Sequence, residues 1–197
     1  MKRILLIILP FTIISCDPNN TEEKQLNDFV GYYKITSINS ETAIDLNNDG
    51  IKSKNILEEI SSPYTTPSGL AENFYNANSP DNYAEIRPTK QQNNNAQLIS
   101  FNFPEQIITY RNDDLTLNQP FLMEYSSSMN NMSYEFTNKS EVIIMDNNKE
   151  WNSQFGEIKN LTKIDKKTFQ INLDKRMFDL STKKWTVLQL NATYQKI

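Results

Sequence analysis

The chain has 197 residues, with 20 Lys+Arg against 24 Asp+Glu, no His and one Cys. Without His, the Ser-His-Asp and Cys-His forms of nucleophilic catalysis and any His-ligated metal are excluded, and a lone Cys excludes an intrachain disulfide and a cysteine-built zinc site. The mildly acidic balance argues against nucleic acid as a partner, and the length predicts one domain with enough chain to bury a core.

The first segment, MKRILLIILPFTIISC, has two cations, Lys2 and Arg3, followed by an apolar run from Ile4 to Ile14. That run is too short to span a bilayer as a helix, and its parts are those of a secretory leader. Ile13-Ile14-Ser15-Cys16 resembles the lipobox of bacterial lipoproteins. The resemblance implies a signal peptide over 1–15, lipidation (palmitate among the acyl chains) on Cys16, and membrane attachment through the new N-terminus. Each buried methylene of such chains contributes about 0.8 kcal/mol. Residues 17–28 contain no apolar residue except Leu26, and 16–28 read as a flexible tether. Glu22-Glu23 resembles the acidic export signal of surface lipoproteins of the Bacteroidetes kind, whereas Asp17 resembles an inner-membrane retention mark. The expected location is the cell envelope, with the outer membrane favoured over the inner.

From Phe29 onward the pattern is that of a single β domain over 29–197. Residues 29–38 form a first strand rich in aromatic and β-branched types. Ile56, Leu57 and Ile60 sit at helical spacing, which predicts one short helix over 55–60. The polar stretch 61–82 is expected to be a long loop with a helical turn at Leu70–Phe74. Strands follow at 83–87, 97–103, 106–110, 121–126, 132–137, 140–145, 155–164, 167–173 and 184–194. Pro104 separates two of them, because proline cannot donate inside a sheet. Phe169, Ile171 and Leu173 alternate with polar residues, as do Leu188, Leu190, Ala192 and Tyr194. Each strand therefore has one apolar and one polar face. Asp165-Lys166 forms a hairpin turn, and Asn138-Lys139 and Asn147-Asn148-Lys149 are turn-prone as well. The fold class is all-β. An antiparallel up-and-down barrel of about eight strands is expected because closure removes exposed edges, with a β-sandwich as the alternative.

Asp45-Leu46-Asn47-Asn48-Asp49-Gly50 matches the first half of an EF-hand-type calcium loop. Asp45, Asn47 and Asp49 would supply side-chain oxygens, Ile51 a carbonyl and Ser53 a further oxygen. The pattern then departs, because Ile56 stands where a bidentate Glu belongs and Lys52 where an apolar residue is usual. Glu58 or Glu59 can fold back from the following helix. The two readings are a structural calcium site and an Asx-rich turn without an ion; no other cofactor is expected.

The order of lipobox, polar tether, Val30-Gly31-Tyr32-Tyr33-Lys34-Ile35 strand, acidic loop, Ile56-Leu57-Glu58-Glu59 helix and closing Leu190-Asn191-Ala192-Thr193-Tyr194-Gln195-Lys196 strand resembles lipocalin-like lipoproteins of the Bacteroidetes kind. The resemblance implies a barrel wide enough for one small ligand, with Tyr33 as the aromatic plug at its base.

Trp151 and Trp185 can pack at the core or rim, or stack on a sugar. Tyr64, Phe74, Tyr75 and Tyr83 can form a binding lip or cap the core. The doublets Asp113-Asp114 and Glu58-Glu59 are not by themselves catalytic pairs. Asn is the compositional outlier at 26 residues, against 4 Gly, as expected of turns or of a biased genome. The expected function is that of a monomeric, non-enzymatic, lipid-anchored barrel binding a small apolar or amphipathic ligand. The alternative is a surface module that contacts protein or glycan, its interior filled by bulky side chains such as Phe101, Phe136 and Phe169.

Overall fold

The computed structural model describes residues 29–62, 74–88, 97–109, 122–136, 141–144 and 156–197. The leader 1–15, the tether 16–28 with Cys16, Tyr64, the expected turn at 70–74 up to Phe74, Asp113-Asp114, Asn138-Lys139, Asn147-Asn148-Lys149 and Trp151 lie outside them, as does the side chain of Phe136.

The first strand, β1 (Gly31–Ile44), turns Tyr33, Ile35, Ile38, Ser40 and Ile44 inward. An odd step separates Ile35 from Ile38, and the register against the last strand shifts between Ile35 and Ser37. Such a bulge resets the alternation so that both halves of the strand face the core. A short strand, β2 (Ser53–Asn55), precedes the helix α1 (Ile56–Ser61). Asn55 caps α1 by accepting from the Glu58 N–H at 3.3 Å. After a 3-10 turn at Pro80–Asn82 come β3 (Ala84–Pro88), β4 (Gln97–Thr109), β5 (Leu122–Phe136), β6 (Glu141–Ile144), β7 (Glu157–Lys163), β8 (Thr168–Asp179) and β9 (Lys184–Lys196).

Each strand from β3 to β9 pairs antiparallel with the next in the chain, and β1 pairs with both β3 and β9. The hydrogen-bonded cycle therefore closes through eight strands, with β2 as an extra short strand on β1. This is the expected up-and-down barrel and excludes the sandwich. The seams differ in strength: β4 and β5 share thirteen residue pairs, whereas β1 and β3 share three.

Several expected boundaries were wrong. Pro104 does not separate two strands. It lies within the continuous β4, opposite Ser127. The segments 121–126 and 132–137 likewise form the single strand β5, running through Ser126-Ser127-Ser128. Long pairing with a partner strand overrides the weak local preference of serine and proline. The expected 167–173 strand extends to Asp179, and the 184–194 strand to Lys196. The hairpin between β7 and β8 is as expected, with Lys167 N–H donating to the Asp165 carboxylate at 2.7 Å.

The lower barrel is filled by rings. Phe29, Tyr33, Phe101, Phe169, Tyr134 and Tyr194 are fully buried. Phe169 stacks on Tyr194 with centroids 4.6 Å apart and meets Tyr33 edge-on at 4.9 Å. Tyr33 sits at the base and donates its hydroxyl to the Phe29 carbonyl at 2.7 Å. Gly156, just before β7, has φ +109°, and a Cβ there would stand 2.7 Å from the Asp174 carbonyl oxygen. Only glycine permits that approach of two backbones.

Candidate functional site

The register places Phe29, the 164–167 turn and the C-terminus at one end of the barrel. The Asp45 loop and the 180–183 turn meet at the other, where Leu180 N–H donates to the Asp45 carbonyl at 2.9 Å. The described chain thus enters the barrel, at Phe29, at the end opposite the acidic loop.

The acidic loop is held together by its own backbone. Asp45, nearly fully buried, accepts from Asn48 N–H at 2.7 Å and Gly50 N–H at 3.2 Å. Asn47 accepts from Asp49 N–H at 3.0 Å, and Asp49 from Ile51 N–H at 2.7 Å and from the Asn47 amide at 3.1 Å. Asn48 (φ 61°) and Gly50 (φ 81°) supply the left-handed bends. Ile51 projects outward at the surface, and Ser53 turns its hydroxyl to the Asn55 N–H at 3.0 Å.

Of the two glutamates on α1, Glu59 is the one that folds back. It is buried and accepts from Leu46 N–H at 2.9 Å, whereas Glu58 is exposed beside the cap. Burial lifts the carboxyl pKa values of Asp45 and Glu59 above the ordinary range, amide bonds pull them down, and repulsion among Asp45, Asp49, Glu59 and Asp179 adds to the rise. The donor set of a calcium loop is thus gathered in one place, but its oxygens are already turned onto amides. Among the described residues no group of three or more His, Cys, Asp or Glu is arranged to hold a metal.

Beside the loop, Lys52 Nζ lies 2.7 Å from Asp179. Burial alone would raise the Asp179 carboxyl, but hydrogen bonds from Lys52, Ser181 and Thr182 outweigh it and bring the pKa down to about 2. Below them, Tyr125 donates its hydroxyl to the Leu46 carbonyl at 2.8 Å, and Gln106 donates to that hydroxyl at 3.1 Å. Lys175 follows Phe169, Ile171 and Leu173 on the inward face of β8. Its ammonium lies 5.6 Å from the Phe103 ring centroid, and burial pushes its pKa down to about 8. The alternation that marked Phe169, Ile171 and Leu173, carried two residues further, would have flagged this lysine.

The aromatic cluster near the long loop is divided. Tyr75 joins the core, Tyr83 donates to the Asn78 carbonyl at 3.1 Å, and Phe74 is half exposed. Phe74, Leu57, Lys34 and Thr36 border a cavity of about 510 Å³ between β1 and α1. Trp185 lies on the outer face of β9 rather than in the core. Its ring meets Phe178 edge-on at 5.5 Å and carries the Arg176 guanidinium 4.8 Å above it.

Among the described residues no helix is long and apolar enough to cross a membrane. Comparison with protein-family models, with curated proteins and with solved structures finds no match to this chain.

Proposed function

We propose that this protein is a lipid-anchored cell-envelope module whose barrel is a solid scaffold and whose outer surface makes the functional contacts. The reading is carried by the packing of Phe101 and Phe169 against Tyr194, with Tyr33 and Phe29 closing the base. Rings interlocked in this way resist displacement by a guest, because interiors pack like organic crystals. The Cys16 lipid and its tether would hold the Phe29 end toward the outer membrane and present the acidic-loop end away from it. The protein acts as a monomer, carries out no catalysis, and uses its Asp45 loop as a structural turn.

Native mass spectrometry of protein purified from its own envelope tests the scaffold reading. Bare, acylated protein is expected; a small molecule retained at one-to-one stoichiometry would overturn it. The anchor is tested by Cys16→Ser, which should release the protein to the soluble fraction. Continued membrane association of that variant would refute the anchor.

One observation favours the other reading, a small amphipathic guest inside the barrel. The hydroxyls of Tyr75 and Tyr194 are buried and meet no hydrogen-bond partner among the described residues. Buried polar groups are seldom left so, and a guest or a water would satisfy them. The same mass measurement separates the two.

A further inference from the structure

The abundance of Asn and the exposed Trp185 come together through the strand register. Asn160 of β7 pairs with Asn172 of β8, Asn172 with Asn191 of β9, Asn191 with Asn39 of β1, and Asn39 with Asn55 of β2. Five neighbouring strands thus carry asparagine at one level of the barrel wall. Asn191 donates to Asn172 at 2.6 Å, and Asn172 donates to Asn160 at 2.7 Å. Each amide has two N–H donors and a carbonyl acceptor, so the row retains hydrogen-bonding capacity toward solvent after bonding to itself. Three of its members, Asn39, Asn172 and Asn191, border an open groove of about 430 Å³ together with Glu41, Lys159 and Gln189. That volume falls within the range of small-molecule sites.

The one lysine of the groove is already engaged by carboxylates. The Lys159 ammonium stands 2.9 Å from Glu157 and 3.2 Å from Asp174. An anionic occupant would have to compete with two carboxylates, whereas an uncharged one need not. Further up β9, Gln189, Val187 and Trp185 follow Asn191 on the outer face, because alternate residues share a face. At the usual rise the strip from Asn191 to Trp185 is about 20 Å long. Trp185 remains 38% exposed, with Phe178 edge-on to its ring and the Arg176 guanidinium over the ring.

We propose that this outer strip of β7, β8, β9 and β1 binds a neutral glycan chain, with the amide row taking its hydroxyls and Trp185 stacking on a sugar ring. Amides suit hydroxyls because both donate and accept, and an indole offers an apolar face to the C–H side of a pyranose. A strip about 20 Å long between the amide row and Trp185 suits a chain of several sugar units better than a single small molecule. The inference rests on the scaffold reading, which puts function on the outside of the barrel, and names the partner class.

The test is calorimetric titration of the full acylated protein in detergent with maltohexaose, cellohexaose and mannohexaose. At least one should bind, with affinity unchanged between about 50 and 500 mM salt. Trp185→Ala should weaken that binding at least about tenfold, as should the pair Asn172→Ala and Asn191→Ala. Asn172→Asp keeps the side-chain shape and removes a donor, and should also weaken binding, so a folding failure of the alanine pair does not end the test. Absence of heat with all three sugars, full affinity in every variant, or binding lost at high salt would each overturn the proposal. A guest found inside the barrel would overturn the scaffold reading alone. Bare protein that ignores all three sugars would overturn the strip alone.

Discussion

Gln106 on β4 and Phe178 on β8 are joined across the barrel by two hydrogen bonds. The Gln106 amide donates to the Phe178 carbonyl at 3.2 Å, and the Phe178 N–H donates to Gln106 Oε1 at 2.7 Å. The described β7–β8 ladder ends at the pair Glu157 and Asp174, so the last residues of β8 extend past it. One glutamine side chain there bonds the N–H and the carbonyl of Phe178 as a strand partner would.

Replacing Gln106 with Leu should therefore destabilise the fold by about 2–4 kcal/mol, because it leaves a buried N–H and a buried carbonyl unpaired. Urea unfolding would measure this as a lower midpoint at unchanged slope. A loss under about 0.5 kcal/mol would mean that water replaces the amide and that the cross-barrel link is not structural.

The ring cluster makes a second prediction. Phe169→Ala removes the ring that touches Phe29, Tyr33, Phe101 and Tyr194, and should cost about 3–5 kcal/mol. Val187→Ala, at a position 64% exposed, should stay within about 0.5 kcal/mol. Comparable losses from the two in denaturant unfolding would contradict a packed interior.

Lys175 gives the fold a pH dependence. Its pKa falls from 10.5 to about 8 through burial. Between those values the unfolded chain binds the proton that the folded chain has released, so stability rises with pH across the window. At one pKa unit per 1.36 kcal/mol, the gain from neutral pH to pH about 10 is on the order of 2–3 kcal/mol. The tyrosine hydroxyls of the core, raised by burial, oppose this only at higher pH. Lys175→Met should stabilise the protein at pH 7 and flatten the slope. A wild-type protein whose unfolding free energy does not change from pH 7 to 10 would show that the ammonium is solvated.

For the acidic loop, thermal unfolding in millimolar calcium and in chelator should give the same midpoint. The oxygens of Asp45, Asn47 and Asp49 are engaged by backbone amides and by the Asn47 side-chain amide, and the loop closes without an ion. A saturable calcium-dependent rise, abolished by Glu59→Gln, would instead establish a calcium site with Glu59 as its distal ligand.

Much of the wall was legible in the chain. Phe169-Ile171-Leu173 and Leu188-Leu190-Ala192-Tyr194 alternate with polar neighbours, and a strand carries its two faces in its own sequence. The turns at Asp165 and Asp45-Gly50 were also visible, because Asp, Asn and Gly act on backbone only a few residues away. Tertiary structure decided the rest, and each case involves partners distant in sequence. Alternation is the same in a barrel and a sandwich, and only the β1–β3 and β1–β9 pairings close the cycle. Pro104 remains in a strand because a thirteen-residue ladder with β5 holds both sides of it. Glu59 rather than Glu58 reaches the acidic loop because α1 buries one side and exposes the other. The asparagine row exists only in register, and register is set by the packing of the opposite, apolar face.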